Sequence, residues 1–380
     1  MKNKLILAGL LVMFISNLYS QQKPVTYLFV GSYTAGKPDT GIYVYTFNVK
    51  SGAVKQTGII EHIINPSYLT LSPDGQYLYA GADTQLPDTG SVLSFKVDSK
   101  NGKLMFINRQ PSEGDNPVYV AVHNNNRFLI NANYTGGSVS AYQMNEDGSL
   151  RPALQVIPFE GSSIMRSRQE KAHIHAAVFS PQGDYVFLPD LGSDKIWVFR
   201  FDTTKSEPLI PVRELNVTAV PGSGPRHFTF HPNGKYAYCI EELSGMVVTY
   251  AYKDGRLDSL QRIQGYSKTQ DSYGGADIHL SPDGRFLYSS NRWEDENTLA
   301  IFAVSPQTGT LTLVGHQKTY GDHPRNFTID PTGRYLLVAN MLTNNIVVFK
   351  RNMKTGLLKK KKQEIRVPAP SCLQMRRYGG

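Results

Sequence analysis

Two positions in a repeated unit of about fifty residues collect the side chains of this sequence that can do chemistry. A lead-in position, ahead of a short apolar strand, holds in turn Ser67, Val118, His175, Arg226, Ala276, Arg325 and Ser371. A run-out position, ten residues after a turn proline, holds Asp83, Glu242, Arg292 and Met341, with Tyr33 and Tyr134 in equivalent places and Asp190 one place early. Together they supply an imidazole, three guanidiniums and two or three carboxylates. An imidazole near its free pKa suits general-base work at neutral pH. Guanidinium recognises carboxylate or phosphate through paired donors, so the excess of Arg226, Arg292 and Arg325 suits an anionic ligand. Plainer readings exist for each residue: His175 can bond to an adjacent unit, and Arg226 with Glu242 can form a locking ion pair. Scattered surface charge would not prefer two positions on one rim, which favours a ligand site. The neighbours His173, His227, Asp277, Asn291 and Asn340 are also polar. Asp83 and Asp277 read as structural; His62, His123, His231, His279 and His316 fall elsewhere and receive no role.

The repeat that positions these residues is a loop, an apolar strand, a turn of the type Ser-Pro-Asp-Gly, and a second, aromatic-rich strand. It starts at Asn65, Asn116, His173, Gly224, Gly274 and His323, at intervals of 51, 57, 51, 50 and 49 residues. Proline presets the turn φ and glycine accepts a positive one, so each turn joins antiparallel strands. Two further strands follow, as at Ile196-Trp197-Val198-Phe199 and Leu311-Thr312-Leu313-Val314. Four strands at this period predict an all-β fold, a propeller. Six units are complete. Tyr27–Tyr33 matches the second strand of a unit and Ala369–Met375 the first, so a seventh blade is expected to close from both termini. The lead-in and run-out positions then line one end of the central channel, with the Pro-Asp-Gly turns on the other face. The insertion Gly161 to Lys171 lies on the same face as the site, as a lid or a surface loop, and brings Arg166, Arg168 and Lys171.

Composition excludes several classes. The chain has 380 residues, 40% hydrophobic and 19% charged, so it can build a large core. Two cysteines, Cys239 and Cys372, give neither a disulfide framework nor a structural zinc site. The net charge is +9, and the run Lys359 to Lys362 reads as a solvated surface. There is no nucleic-acid-binding signature, no GxSxG elbow, no phosphate loop and no HExxH helix. His173 and His175 lie on one strand face and could hold a metal only with a third ligand such as Asp190. Residues 1–20 have Lys2 and Lys4 ahead of the apolar run Leu5 to Ile15 and end in Ser20, which predicts a signal peptide and export to a periplasm or the medium. Residues 21–380 are then one propeller domain without stable membrane insertion.

The motifs Gly31-Ser32-Tyr33-Thr34, Arg168-Gln169-Glu170 before His173-Ile174-His175, Pro189-Asp190-Leu191-Gly192, Gly224-Pro225-Arg226-His227, Glu242-Leu243, Ser290-Asn291-Arg292 and His323-Pro324-Arg325-Asn326 resemble the seven-bladed lactonase family. That family includes propeller-type 6-phosphogluconolactonases and the fungal carboxymuconate lactonizing enzyme. The resemblance implies a catalytic histidine, glutamate and two arginines, which fall by motif on His175, Glu242, Arg226 and Arg292. Register with Arg226 favours His175 over His173. His173, Asp190, Arg325 and Arg168 are the expected substrate-binding residues. It implies hydrolysis of an anionic sugar lactone to its open-chain acid, with no metal or organic cofactor and no nucleic-acid partner. His175 or Glu242 is the candidate base. The alternatives are a carboxymuconate-type cycloisomerase and a non-catalytic ligand- or protein-binding propeller. A signal peptide sets this chain apart from members that serve a cytoplasmic pathway, and points to a periplasmic sugar lactone.

Overall fold

The computed structural model describes residues 23–34, 41–86, 90–293 and 296–379. The expected signal peptide lies outside them. The described residues form seven antiparallel sheets, one after another along the chain, with a 3-10 turn at Arg213–Leu215 as their one helical element. No helix among them is long and apolar enough to cross a membrane.

The first sheet joins the two ends of the chain. Pro370–Tyr378 pairs with Val25–Ser32, from Val25 opposite Tyr378 to Ser32 opposite Pro370. Val25–Ser32 then continues to Ile42–Phe47 and Val54–Ile60. The C-terminal strand is thus the innermost strand of the first blade. Its position removes the free edge that an open ring would leave.

Strand alternation explains why the inner strands read as unbroken apolar runs. Tyr27 and Phe29 pack against Leu78 and Phe95 of the second blade, whereas Leu28 and Val30 pack against Leu337 and Val348 of the seventh. Each inner blade has both faces covered, so both sets of side chains must be apolar. The core is therefore distributed over the spaces between blades. The turn glycines Gly75, Gly183, Gly234, Gly284 and Gly333 all take φ between 68° and 83°, and Asn126 at 58° replaces glycine in the third blade.

The fourth blade departs from the four-strand expectation. Its outer strand is split into Leu209–Pro211 and Val217–Thr218, and the Asn216 side chain accepts the Val198 amide in the gap. Its inner strand is reduced to Val178–Phe179 plus a bridge between Ile174 and Asp190. The run 173–175 thus leaves the regular ladder. The lysine run lies on the outer strand Leu358–Arg366 and is mostly exposed, where charge discourages edge pairing.

Candidate functional site

Bulges set the lead-in residues apart from the regular pairing, and two of them, Val118 and Arg325, line a cavity. Pairing slips by one residue between Pro117 and Tyr119, Pro225 and His227, and Pro324 and Asn326, which leaves Val118, Arg226 and Arg325 as the extra residues. The same slip occurs around Ala276 and Asp277, and at Ser371. A bulge re-aims the side chain it carries. The residue ahead of the strand proline takes a positive φ, 61° at Asn116, 65° at Gly224 and 62° at His323.

Together with neighbouring residues, Val118 and Arg325 line a cavity of about 430 Å³, whose wall includes Tyr33, Tyr134, Arg168, His175, Glu242, Arg292 and His323. A larger hollow of about 660 Å³ lies at the outer rim around Lys23, Lys50, Lys55 and Arg377, without a carboxylate or histidine in its lining. Volume therefore does not choose the site; converging functional groups do.

Glu242 is the hub. Its Oε1 accepts from Arg168 Nη2 at 2.5 Å, and its Oε2 from Arg226 Nε at 2.7 Å and Arg292 Nη2 at 2.9 Å. Burial alone would raise the carboxyl pKa, but Arg292, Arg226 and Arg168 outweigh it and hold the group well below the carboxylate range. Glu242 is thus a fixed anion. Arg226 also donates to the Ala276 carbonyl and is 1% exposed. It stands behind Glu242 and is not among the cavity-lining residues. Burial, Arg292 and Arg325 press its pKa down, yet a guanidinium remains protonated at neutral pH. Arg325 lines the cavity, lies over the Tyr33 ring at 5.3 Å, and pairs with no described carboxylate. Three guanidiniums therefore hold one carboxylate and a fourth, Arg325, lines the same cavity, so the site is strongly cationic.

His175 lines the cavity, and its Nδ1 is buried without a hydrogen-bond partner. Burial first, then Arg226, His227 and Arg325, hold its pKa well below the histidine value, so the ring is neutral. His173 is not at the cavity surface. It stacks on Tyr134 at 4.5 Å, and its two nitrogens meet the Tyr134 carbonyl and Glu170. It backs the tyrosine that does line the site.

Asp190, expected among the substrate-binding residues, is not in the cavity lining. It is fully buried, and its carboxylate accepts the amides of His173, Gly192 and Ser193, the Ser193 hydroxyl and the Trp197 indole. It knots the turn after its strand and is spent there. The same bonds leave it unable to complete a metal site with His173 and His175. The insertion is a fastened loop: Gln169 is buried, donates to the Leu191 carbonyl and accepts the Met165 amide. This anchor presents Arg168 to Glu242 and Tyr134.

The sequence reading missed His323, Trp293, Gln85 and Asn116 in the cavity wall. His323 accepts from Arg292 Nη1 at 3.2 Å, and burial with the surrounding arginines lowers its pKa to about 2. The available signal was the residue before each lead-in proline, where Asn116 and His323 are polar.

A stability prediction follows from these neutral imidazoles. His227 is lowered to about 4 by burial and Arg226, so with His175 and His323 it stays neutral where the unfolded chain would be protonated. Below about pH 6.5 the unfolded state binds more protons, and stability falls as pH falls, by roughly 1.4 kcal/mol per pH unit for each group. Glu242 and Asp277, both lowered, add their own loss only below about pH 4.5. Thermal melts should show Tm dropping steeply from pH 6.5 toward 4; a flat Tm from pH 7.5 to 5 would contradict the neutral assignment.

Residues 27–375 match the family described as Lactonase, 7-bladed beta-propeller. A Formosa agariphila protein named 6-phosphogluconolactonase is 47% identical over 351 residues, covering 92% of this chain and 99% of that protein. A Bacillus subtilis protein of the same name is 34% identical, covering 91% and 97%. The solved structure of a Pseudomonas aeruginosa periplasmic gluconolactonase superimposes with a TM-score of 0.87 at 36% identity, over 92% of this chain and 99% of that one.

Proposed function

The chain belongs to the seven-bladed β-propeller lactonase family, and from that premise we propose that it hydrolyses an anionic sugar lactone to the open-chain acid at the channel-mouth cavity. The observation that supports the site is an excess of guanidiniums, three on Glu242 and a fourth, Arg325, in the same cavity wall, beside the His175 imidazole. Such a charge excess is costly to bury and is relieved by a bound anion.

Hydrolysis needs an activated water and a stabilised tetrahedral oxyanion. His175 is the base in this reading. Its neutral ring can accept the water proton, and a bound anion cancels part of the field of Arg226 and Arg325 that weakens it. Glu242, clamped by three guanidiniums, is a poor proton acceptor and instead orients Arg168 and Arg292. Arg292 faces the cavity and stabilises the developing oxyanion. Arg325 and Arg168 hold the carboxylate or phosphate of the substrate. Arg226 contributes a fixed positive charge from behind Glu242.

Export fits the same reading. The N-terminal pattern of residues 1–20 and the periplasmic relative support a lactone met outside the cytoplasm; mature protein should begin near Gln21, which N-terminal sequencing checks. The deciding experiment is proton release from a panel of sugar lactones with and without a phosphate group. Turnover of at least one, with the open acid as product, is expected. Tight binding without proton release would replace the enzyme by a binding propeller.

A further inference from the structure

Beneath the cavity a second set of titratable groups runs across three consecutive blades. The His175 and His227 rings lie 5.2 Å apart between centroids, at 68° to one another. Each has one buried nitrogen without a hydrogen-bond partner, Nδ1 of His175 and Nε2 of His227. His227 Nδ1 meets Asp277 Oδ1 at 2.8 Å. The other carboxylate oxygen, Oδ2, meets His279 Nε2 and accepts from Asn326 Nδ2 and the Phe327 amide. Asp277 is 2% exposed, and the stacked pair Tyr68 and Tyr119 flanks His227 edge-on.

We propose that Asp277 and His227 are positioning residues that fix the tautomer of His175 and present its Nε2 lone pair to the substrate cavity. An ionised carboxylate only accepts, so His227 must carry its proton on Nδ1 and leave Nε2 bare. A bare, buried Nε2 beside the His175 ring is satisfied if His175 carries its own proton on Nδ1 and one water joins the two nitrogens. His175 Nε2 is then the basic nitrogen. When that nitrogen takes a proton from the attacking water, the chain of bonds to Asp277 stabilises the imidazolium. The water oxygen bonds to the lactone carbonyl carbon, the ring C–O bond breaks, and its oxygen leaves with a proton. The new acid ionises, so one proton per turnover passes to solvent. Neutral rings are required, and burial with Arg226 keeps both histidines low.

The inference rests on His175 as the base, and its test separates the two ideas. Long-range proton–nitrogen NMR on histidine-labelled protein reads each tautomer without any substrate. The expected result is His175 protonated on Nδ1 and bare on Nε2; the reverse tautomer overturns the relay whether or not the protein turns over a lactone. D277N is the sharp variant. Three donors hold the Oδ2 side, so the new amide nitrogen must face His227 Nδ1 and reverse its tautomer, and His175 follows. We expect kcat to fall about 10²- to 10⁴-fold with KM little changed. H227Q, a second break in the chain, should lower kcat by a similar factor. H279Q should stay within about threefold. D277N that melts near wild type and keeps kcat within twofold would sink the proposal. A protein inactive on every lactone, yet showing the expected tautomers, would overturn the proposed function and leave the relay standing.

Discussion

His175→Ala lowers kcat/KM on the accepted lactone by about 10²- to 10⁴-fold, the usual worth of a positioned general base. The fold should survive, because the buried Nδ1 of His175 has no hydrogen-bond partner and the ring's aromatic contacts are with Tyr134 and His227. Its backbone amide still donates to the Pro189 carbonyl. Arg226→Ala should cost about 10²- to 10³-fold, the scale of removing one electrostatic stabiliser. The route differs. Arg226 does not line the cavity, so its loss acts through Glu242 Oε2, which shifts toward Arg292, and through the missing charge. Glu242 is not stranded by the change, because Arg168 and Arg292 remain on it. The KM and kcat effects therefore separate: His175→Ala acts on kcat, while Arg226→Ala disturbs both. Steady-state kinetics with a melting curve for each variant decides this. Either variant retaining wild-type kcat/KM while folded would remove that residue from the mechanism.

The architecture was legible because a propeller writes its period into its turns. Pro-Asp-Gly at five of the six internal turns, or a near variant, fixed the antiparallel joints, and the half-units at Tyr27 and Ala369 predicted the closure seen between Val25–Ser32 and Pro370–Tyr378. The two rim positions were also legible, and five of the eight named residues line the cavity: His175, Glu242, Arg292, Arg325 and Arg168. Asp190 shows where that reading ends. It sits one residue short of the run-out position, and side chains alternate faces along a strand, so one place is enough to turn its carboxylate away from the channel. Arg226 shows a second limit. Its position was readable, its enclosure behind Glu242 was not, because that depends on the Ala276 carbonyl of the next blade. Val118, Arg226, Arg325 and Ser371 each follow a proline, so the proline marks the bulge, yet the four side chains share no chemistry and the sequence does not say what each one meets. The buried column His227–Asp277 was hidden for the same reason, since its meaning lies in which oxygen of Asp277 faces which blade.

Deleting residues 365–380 should abolish cooperative folding. The deletion removes the whole inner strand of the first blade and with it the partner of Val25–Ser32 along its full length. It also removes bonds that tie the ring to its neighbours: Leu373 N to Asn326 Oδ1, Ser371 Oγ to the Ser67 carbonyl, and Arg376 Nη1 to the Ser72 carbonyl. Ile365, Val367 and Leu373 are 7%, 0% and 2% exposed in the interface between the seventh and first blades. At about 1.5–3 kcal/mol for each buried side chain, these three alone contribute roughly 5–9 kcal/mol. Whole domains are stable by about 5–15 kcal/mol, so the remaining ring has little or nothing left. What survives would expose the Val25–Ser32 edge, a template for association. The expected observation is a broad or absent thermal transition and aggregation of the truncated protein. A sharp melt at the full-length Tm would mean that the other six sheets hold the ring without closure, and that the channel-mouth geometry does not depend on the C-terminal strand.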